Sequence, residues 1–492
     1  MAFLLYPFVK ETLMKYKASI FLPVLLAVNF ISLHVAGQSK AVHQRPNIIF
    51  ILTDDQRWDA MGAMGNTLIQ TPNMDKLANA GLLFQNAYVT TSICCVSRAS
   101  ILTGQYELQH GIHDFSTDLS SDAIQNTYPA LLKKAGYATG FLGKFGIGKH
   151  PPHQLFDYWV DTEAGGKGQP DYLIRGANGS YIHDTDTLGN AIQLFLDRFG
   201  KSNQPFCLSV SFKAPHEQDG NPPKYIIQPK YKSYYQNVTI PQPLTADPKY
   251  WEQLPDFFRT DLNFGRSRWK GLFGTPELYQ ENVKNYYRLI TGVDDVIGNM
   301  MQQLNQLGIA QNTVVIIMGD NGMFLGEHGM EGKWYGYEES IRVPLLIYDP
   351  QLSANKKHSL PAQIALNIDI APTILALAGL QVPKSIQGVD LMGLVEHKIP
   401  ERKDFFYQHY FLGSPNIPRV EGVVTQNLKY MNYIEHQYEE LYDINKDPHE
   451  TTNLVADPKY KKRLAALRIR YQELQKKQGL SSEKWQQSKK EF

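Results

Sequence analysis

Two short acidic stretches and a pair of adjacent cysteines carry the reactive side chains of this 492-residue chain. Asp54-Asp55 closes a nearly continuous apolar run, Asn47 to Leu52, and Asp320-Asn321 closes a second, Thr313 to Met318. Such runs read as strands buried on both faces of a parallel sheet, and sheets of this kind gather their sites at the carboxyl ends of the strands. Either pair alone is a common turn device. Two pairs at equivalent ends of one sheet assemble three carboxylates and an amide oxygen. An oxygen-only donor set suits a hard cation, Ca2+ or Mg2+, rather than zinc, and neither pair contains histidine.

The cysteines lie in Cys94-Cys95-Val96-Ser97-Arg98, which is followed after four residues by Thr103-Gly104. Adjacent cysteines rarely satisfy disulfide geometry together. The third cysteine, Cys207, sits in an apolar run as a small buried hydrophobe. The chain therefore has no disulfide framework, and a large core must stabilise it unaided. Arg98 falls one helical turn after residue 94, on the same face.

The elements that must position these groups alternate between strand and helix. Asn73 is expected to cap a short helix ended by Gly81, and a second helix to begin near Ser97. Pro129 to Ala135 reads as helix, Ala138 to Leu142 as strand, Leu188 to Phe199 as helix and Phe206 to Phe212 as buried strand. Thr275-Pro276-Glu277 opens a long helix running to Gly308. Val343 to Ile347 is a further strand. The pattern predicts an α/β fold, a large mixed and mostly parallel sheet covered by helices on both faces. After about residue 395 the composition changes. Phe405 to Tyr410, Val423 to Thr425, Lys429 to Tyr433 and Glu440 to Tyr442 read as short antiparallel strands, packed by a charged helix over Pro458 to Lys477. The expected organisation is a leader over residues 1–37, a catalytic domain over 38–395 and a C-terminal subdomain over 396–492. Residues 213–275, rich in Pro, Tyr and Lys, form a long irregular insertion, read either as lining a binding site or as covering the surface.

The net charge of +1 gives no reason to expect nucleic acid as a partner. Lys10, Lys15 and Lys17 precede an apolar stretch from Ala18 to Val35, with small residues at Val35-Ala36-Gly37. This reads as a cleaved secretory signal, because Pro23, Asn29, Ser32 and His34 interrupt the run as a membrane anchor. The expectation is export, to the periplasm or outside the cell, without stable membrane insertion.

The cysteine stretch resembles the modification signature of the type I sulfatases, Cys-x-Pro-Ser-Arg-x4-Thr-Gly, with Val96 where that family usually has Pro or Ala. Further matches are Leu142-Gly143-Lys144, Ala214-Pro215-His216, Gly319-Asp320-Asn321-Gly322, Gly332-Lys333-Trp334 and the run Tyr337 to Pro344. The ending Glu440-Leu441-Tyr442-Asp443, with Asp447-Pro448 and Glu450, is similar to the family's C-terminal part. The resemblance implies an alkaline-phosphatase-like fold and a sulfuric ester hydrolase. It further implies that a maturation enzyme oxidises Cys94 to Cα-formylglycine, and that Asp54, Asp55, Asp320 and Asn321, with residue 94, hold one Ca2+. Arg98 would secure the hydrated aldehyde, Lys144 and Lys333 would contact the sulfate, and His216 would protonate the leaving alcohol.

One departure stands out. The family usually reads Gly-Lys-Trp-His where this chain has Gly143-Lys144-Phe145-Gly146. The histidine that assists aldehyde regeneration is absent, and His110 or His150 is the candidate stand-in. The insertion and the abundant Tyr point to a sulfated poly- or oligosaccharide as substrate. His183, Arg266, Arg268 and Trp269 are candidate sugar contacts, the arginines for carboxylates or further sulfates. Two other readings remain: a phosphonate or phosphate ester hydrolase of the same superfamily, and an inactive glycan-binding relative.

Overall fold

The computed structural model describes residues 45–163, 169–176 and 179–478. The leader expected over residues 1–37 lies outside them. No helix among the described residues is long and apolar enough to cross a membrane.

Seven strands form the central sheet: β1 (Asn47–Asp54), β2 (Leu82–Leu83), β3 (Ala138–Gly143), β4 (Tyr158–Asp161), β5 (Phe206–Pro215), β6 (Thr313–Gly319) and β7 (Leu345–Tyr348). Their spatial order is β2-β7-β6-β1-β5-β3-β4. β6, β1, β5, β3 and β4 run parallel, and β7 and β2 close one side antiparallel. β1, β5 and β6 are buried along their whole length, as their unbroken apolar runs require.

Alternate residues of each strand feed two cores. Ile49, Ile51, Leu208, Val210, Val315 and Ile317 pack with Leu188, Ile192 and Phe195 and with Ile290, Val293 and Ile297. Ile48, Phe50, Leu52, Ile316 and Met318 face the opposite way, toward Val96, Ala99, Ile374 and the C-terminal strands. The long helix is Pro276–Gln306; Thr275 caps it by accepting the Leu278 N–H, and Pro276 fills its first position.

Four antiparallel strands in sequential order, β8 (Asp404–His409), β9 (Val420–Thr425), β10 (Leu428–Tyr433) and β11 (Tyr438–Asp443), make the C-terminal sheet. Helix Lys461–Lys477 covers it through Leu464, Leu467, Tyr471 and Leu474. The boundary expected at 395/396 falls between helix Leu391–Val395 and β8.

Local structure corrects three expectations. The first helix is Pro72–Ala80 with Thr71 at its N-cap position, because Pro72 has no N–H to lose; Asn73 lies inside it and donates to Asp294. The cysteine helix spans Cys94–Thr103, so it starts at Cys94 rather than near Ser97, and Gly104 ends it at φ +67°. The stretch 213–275 is less irregular than its composition suggests. β5 runs through Pro215, helix Phe264–Leu272 closes the segment, and Tyr225, Tyr231 and Tyr235 are buried.

Candidate active site

The strand register brings the separated motifs together. Thr53 pairs with Gly319, Asp54 with Pro215 after a local irregularity, and Gly143 with Ser211. The residues that follow, Asp55, Asp320, His216 and Lys144, therefore leave four neighbouring parallel strands at one edge. Asp55 adopts φ +62°, a conformation uncommon for a residue with a side chain. Its N–H donates to Asp320 Oδ1 at 3.1 Å, and its carbonyl accepts from the Tyr286 hydroxyl at 2.7 Å. Non-glycine residues held this way cluster at functional sites.

Cys94 is the first residue of its helix, where unpaired backbone N–H groups favour negative charge. Its thiol donates to Asp54 Oδ1 at 3.1 Å, and Lys333 Nζ lies 3.2 Å from Sγ. Burial and then the Asp54 charge push this thiol well above its ordinary range, against the pull of Lys144 and Lys333. Burial thus disfavours the thiolate of an unmodified Cys94.

Three cations meet the three carboxylates. Lys144, fully buried, contacts Asp54 Oδ2 at 2.5 Å. Lys333 Nζ donates to Asp55 Oδ1 and Oδ2 at 2.5 and 2.7 Å. Arg98 donates through Nε to Asp320 Oδ2 at 2.8 Å and through Nη1 to the Lys144 carbonyl at 2.7 Å and to Ser211 Oγ. Burial alone would raise all three carboxyls. At Asp54 that effect is outweighed by Lys144, His216, Arg98 and Lys333, which hold it well below the usual range. Asp55 stays raised by burial and by Asp54. Asp320 is pushed up to about 7 by burial and by Asp54.

His216 Nδ1 donates to the Glu217 carbonyl at 2.6 Å, which leaves Nε2 facing Asp55 Oδ2 at 3.4 Å. Burial, then Lys333, pushes the imidazole well below its ordinary range.

The cluster is compatible with a divalent metal ion. One ligand atom each from Asp54, Asp55, Cys94 and His216 lie within 4.8 Å of one another. Asn321 Nδ2 contacts Asp55 Oδ1 at 2.5 Å, while Asn321 Oδ1 is a buried acceptor without a hydrogen-bond partner among the described residues. A cation would satisfy that acceptor and relieve the crowding of carboxylates.

A cavity of about 630 Å³ opens onto this cluster. Its floor carries Asp55, Cys94, His216 and Lys333; one wall carries Glu217, Asp219, Arg268 and Glu331. The lining also carries an apolar set, exposed Phe115, Phe264 and Leu412 with half-buried Phe411 and buried Trp334, and Asn416. Phe115 packs edge-on against Phe411, and Phe264 against Trp334, both at 5.8 Å. Sequence reasoning missed this set. Phe411, Leu412 and Asn416 come from the turn between β8 and β9, and only the exposed aromatic residues would have hinted at it.

Of the candidate sugar contacts, only Arg268 lines the cavity. His183 is buried, stacked on Tyr172, and its ring nitrogens bond the Ile226 carbonyl and the Thr185 N–H, so it holds a helix start. Arg266 is held between Trp251 and Trp269, 4.5 and 3.9 Å from their ring centres. Trp269 packs against the core. Neither candidate for the missing histidine reaches the cavity lining. His110 is buried between Ser100 Oγ and the Ile112 N–H, and His150 pairs with Asp118 at the surface.

Comparison with known proteins shows the family to which the chain belongs. The family model described as Sulfatase matches residues 46–380, and the model for the C-terminal part of N-sulphoglucosamine sulphohydrolase matches 326–477. The chain belongs to the sulfatase family and is a sulfuric ester hydrolase. It is 31% identical to an N-acetylglucosamine-6-O-sulfatase of Bacteroides thetaiotaomicron, over 94% of this chain and 92% of that one. It is 30% identical to an arylsulfatase of Clostridium perfringens, over 86% and 93%. A solved protein in complex with its substrate D-glucosamine-2-N,6-O-disulfate superposes with a TM-score of 0.75 at 30% identity, covering 88% of this chain and 98% of that one. A phosphonate monoester hydrolase of Agrobacterium radiobacter superposes at 0.71 with 22% identity, over 87% and 96%, a likeness of fold.

Proposed function

We propose that this chain removes sulfate from a sulfated poly- or oligosaccharide, using Cys94 matured to formylglycine and one divalent cation, Ca2+ by the donor set. The observation that carries the reading is the meeting of Cys94 Sγ with Asp54 Oδ1 and Lys333 Nζ on the floor of a cavity lined in part by aromatic residues. Relatives named as acting on sulfated glucosamine and on ulvan support the glycan, and the apolar part of the lining suits the flat faces of sugar rings. Export and a maturation enzyme belong to the same reading.

Cys94 Sγ stands where the hydrated aldehyde's oxygens would sit. Asp54, Asp55, Asp320 and Asn321 would hold the cation, which would supply charge neutralisation and acidify a hydroxyl of the diol. One hydroxyl of the diol would pass its proton to Asp320 as it attacks sulfur, and the bond from sulfur to the sugar oxygen breaks. His216 gives the departing oxygen its proton from Nε2; the incoming sulfate anion favours the charged imidazole that burial otherwise opposes. Lys333 and Lys144 balance the charge that builds on the sulfate oxygens. The second hydroxyl would then pass its proton to His216 Nε2, left neutral by the first step, as the carbonyl re-forms and the bond between that carbon and the sulfate oxygen breaks. Water rehydrates the aldehyde. A serine would stay sulfated at this point, having no second hydroxyl.

The test is sulfate release from a panel of defined sulfated saccharides by matured enzyme, beside aryl sulfate, phosphate and phosphonate esters. Mass spectrometry of the peptide containing residue 94 accompanies it. Release with residue 94 as aldehyde supports the reading. Turnover by enzyme carrying only thiol at residue 94 ends the mechanism, and faster phosphonate hydrolysis reassigns the substrate.

A further inference from the structure

Recognition of an anionic substituent needs a cation not already spent. The two arginines that the sequence offers for this are both engaged. Arg266 donates to the Gly329 carbonyl at 2.8 Å and is sandwiched by two tryptophans, away from the cavity lining. Arg268 lines the cavity, but its Nε donates to Glu331 Oε2 at 2.6 Å, its Nη2 is paired with Glu217 Oε1, and its Nη1 lies 3.8 Å from Asp219 Oδ1. Three carboxylates share one guanidinium.

The other cation on the described lining is Lys333, held against Asp55 and Cys94 where the reacting sulfate must bind. This carboxylate wall adjoins the departing oxygen. Glu217 follows His216 directly, its carboxylate Oε1 lying 3.6 Å from His216 Nδ1, and Glu331 precedes Gly332-Lys333. Beyond the sulfate position the described cavity therefore presents excess negative charge, together with the apolar set. Asp219 is half exposed and free to accept hydrogen bonds. An anion set beside these carboxylates would lose its hydration without gaining a cation, whereas hydroxyl or amide donors would find acceptors.

We propose that Glu217, Asp219 and Glu331, with Arg268 neutralised between them, form a charge filter beside the reactive ester. The sugar presented there carries hydroxyl or N–H donors next to the ester, and a second sulfate or a carboxylate at that position is rejected. This rests on the sulfatase reading above and adds specificity to it. It reverses the expectation that the arginines would receive further anions.

The experiment compares kcat/KM of the matured enzyme on N-acetylglucosamine 6-sulfate and on N-acetylglucosamine 4,6-disulfate. If the panel shows a different preferred ester, the same comparison is made on that sugar with and without a neighbouring sulfate. The filter requires the monosulfated sugar to be favoured at least about tenfold, since like-charge juxtaposition suppresses wrong partners strongly. Equal turnover, or preference for the disulfate, overturns the filter while leaving the sulfatase reading intact. No release from any saccharide by fully oxidised enzyme overturns both. The paired variant Asp219→Asn/Glu331→Gln removes two of the three negative charges, leaving Arg268 paired with Glu217 alone, and should shrink the ratio severalfold by raising the disulfate rate. A ratio unchanged in well-folded variant removes the assignment to this wall.

Discussion

Gly146 lies against Arg98: a Cβ on Gly146 would stand 3.0 Å from Arg98 Cδ and 3.3 Å from Lys144 Cε. Its φ of +68° is one that side chains rarely adopt. The position where the family usually carries histidine is thus closed in this chain. The backbone there is tied down by Glu163 Oε1, which accepts the Gly146 N–H at 3.0 Å. Restoring the family's residue should therefore harm the enzyme. Gly146→His is expected to lower kcat at least about tenfold by displacing Arg98 and Lys144, and to cost about 1–3 kcal/mol in backbone strain. Steady-state sulfate release and a thermal melt measure both; a faster enzyme would show that the space is available.

Cys94 and Cys95 are neighbours with opposite surroundings. Cys94 faces the carboxylates and Lys333, whereas Cys95 is fully buried in the apolar core. Cys94→Ala should abolish sulfate release. Cys95→Ala should keep turnover and lose roughly 1 kcal/mol from the small cavity it leaves. The assignment fails if peptide mass spectrometry finds the aldehyde at residue 95.

Lys429, fully buried on β10, lies 2.8 Å from both Glu338 Oε1 and Glu450 Oε1, tying the C-terminal sheet to the helix that follows Lys333. Lys429→Met removes the cation shared by two buried carboxylates, leaving Glu338 with Arg342 and the Tyr88 hydroxyl, and should cost about 3–5 kcal/mol in denaturant unfolding. The triple variant Lys429→Met/Glu338→Gln/Glu450→Gln should recover most of that loss. A small effect from the single change would mean that the carboxylates are already neutral.

His409 is fully buried, and burial pushes its pKa down to about 3, from an ordinary value of 6.5. Its folded pKa is depressed, so the unfolded chain binds the proton first. His409 therefore favours folding above about pH 6.5, and that contribution is lost as the pH falls toward 3. Within that window, unfolding free energy of the native chain should fall about 1.4 kcal/mol per pH unit more steeply than that of His409→Leu. Parallel unfolding curves for the two proteins between pH 6.5 and 4.5 would rule this out.

The apolar runs that end at Asp54 and Asp320 were legible as buried parallel strands because a strand covered on both faces leaves little choice of residue. Their strand-end positions, together with the resemblance of the cysteine stretch, point to the metal and nucleophile candidates. Helix starts were misplaced by a few residues at Asn73 and Ser97, since a cap is decided by local geometry that several residue types satisfy.

In the sequence, the buried runs placed the two acidic pairs at equivalent strand ends, and the resemblance carried by the cysteine stretch and the short lysine and histidine motifs supplied the remaining candidates. The tertiary structure decided what each charged group faces. Nothing near Arg268 in the chain shows that Glu217 and Glu331 neutralise it, nothing near His183 shows that it supports a helix, and nothing near Phe411 shows that it reaches a cavity built by residues of the first sheet. Charge and aromatic character are fixed residue by residue, but their partners are chosen by packing between segments far apart in the chain, and a local pattern carries no record of that choice.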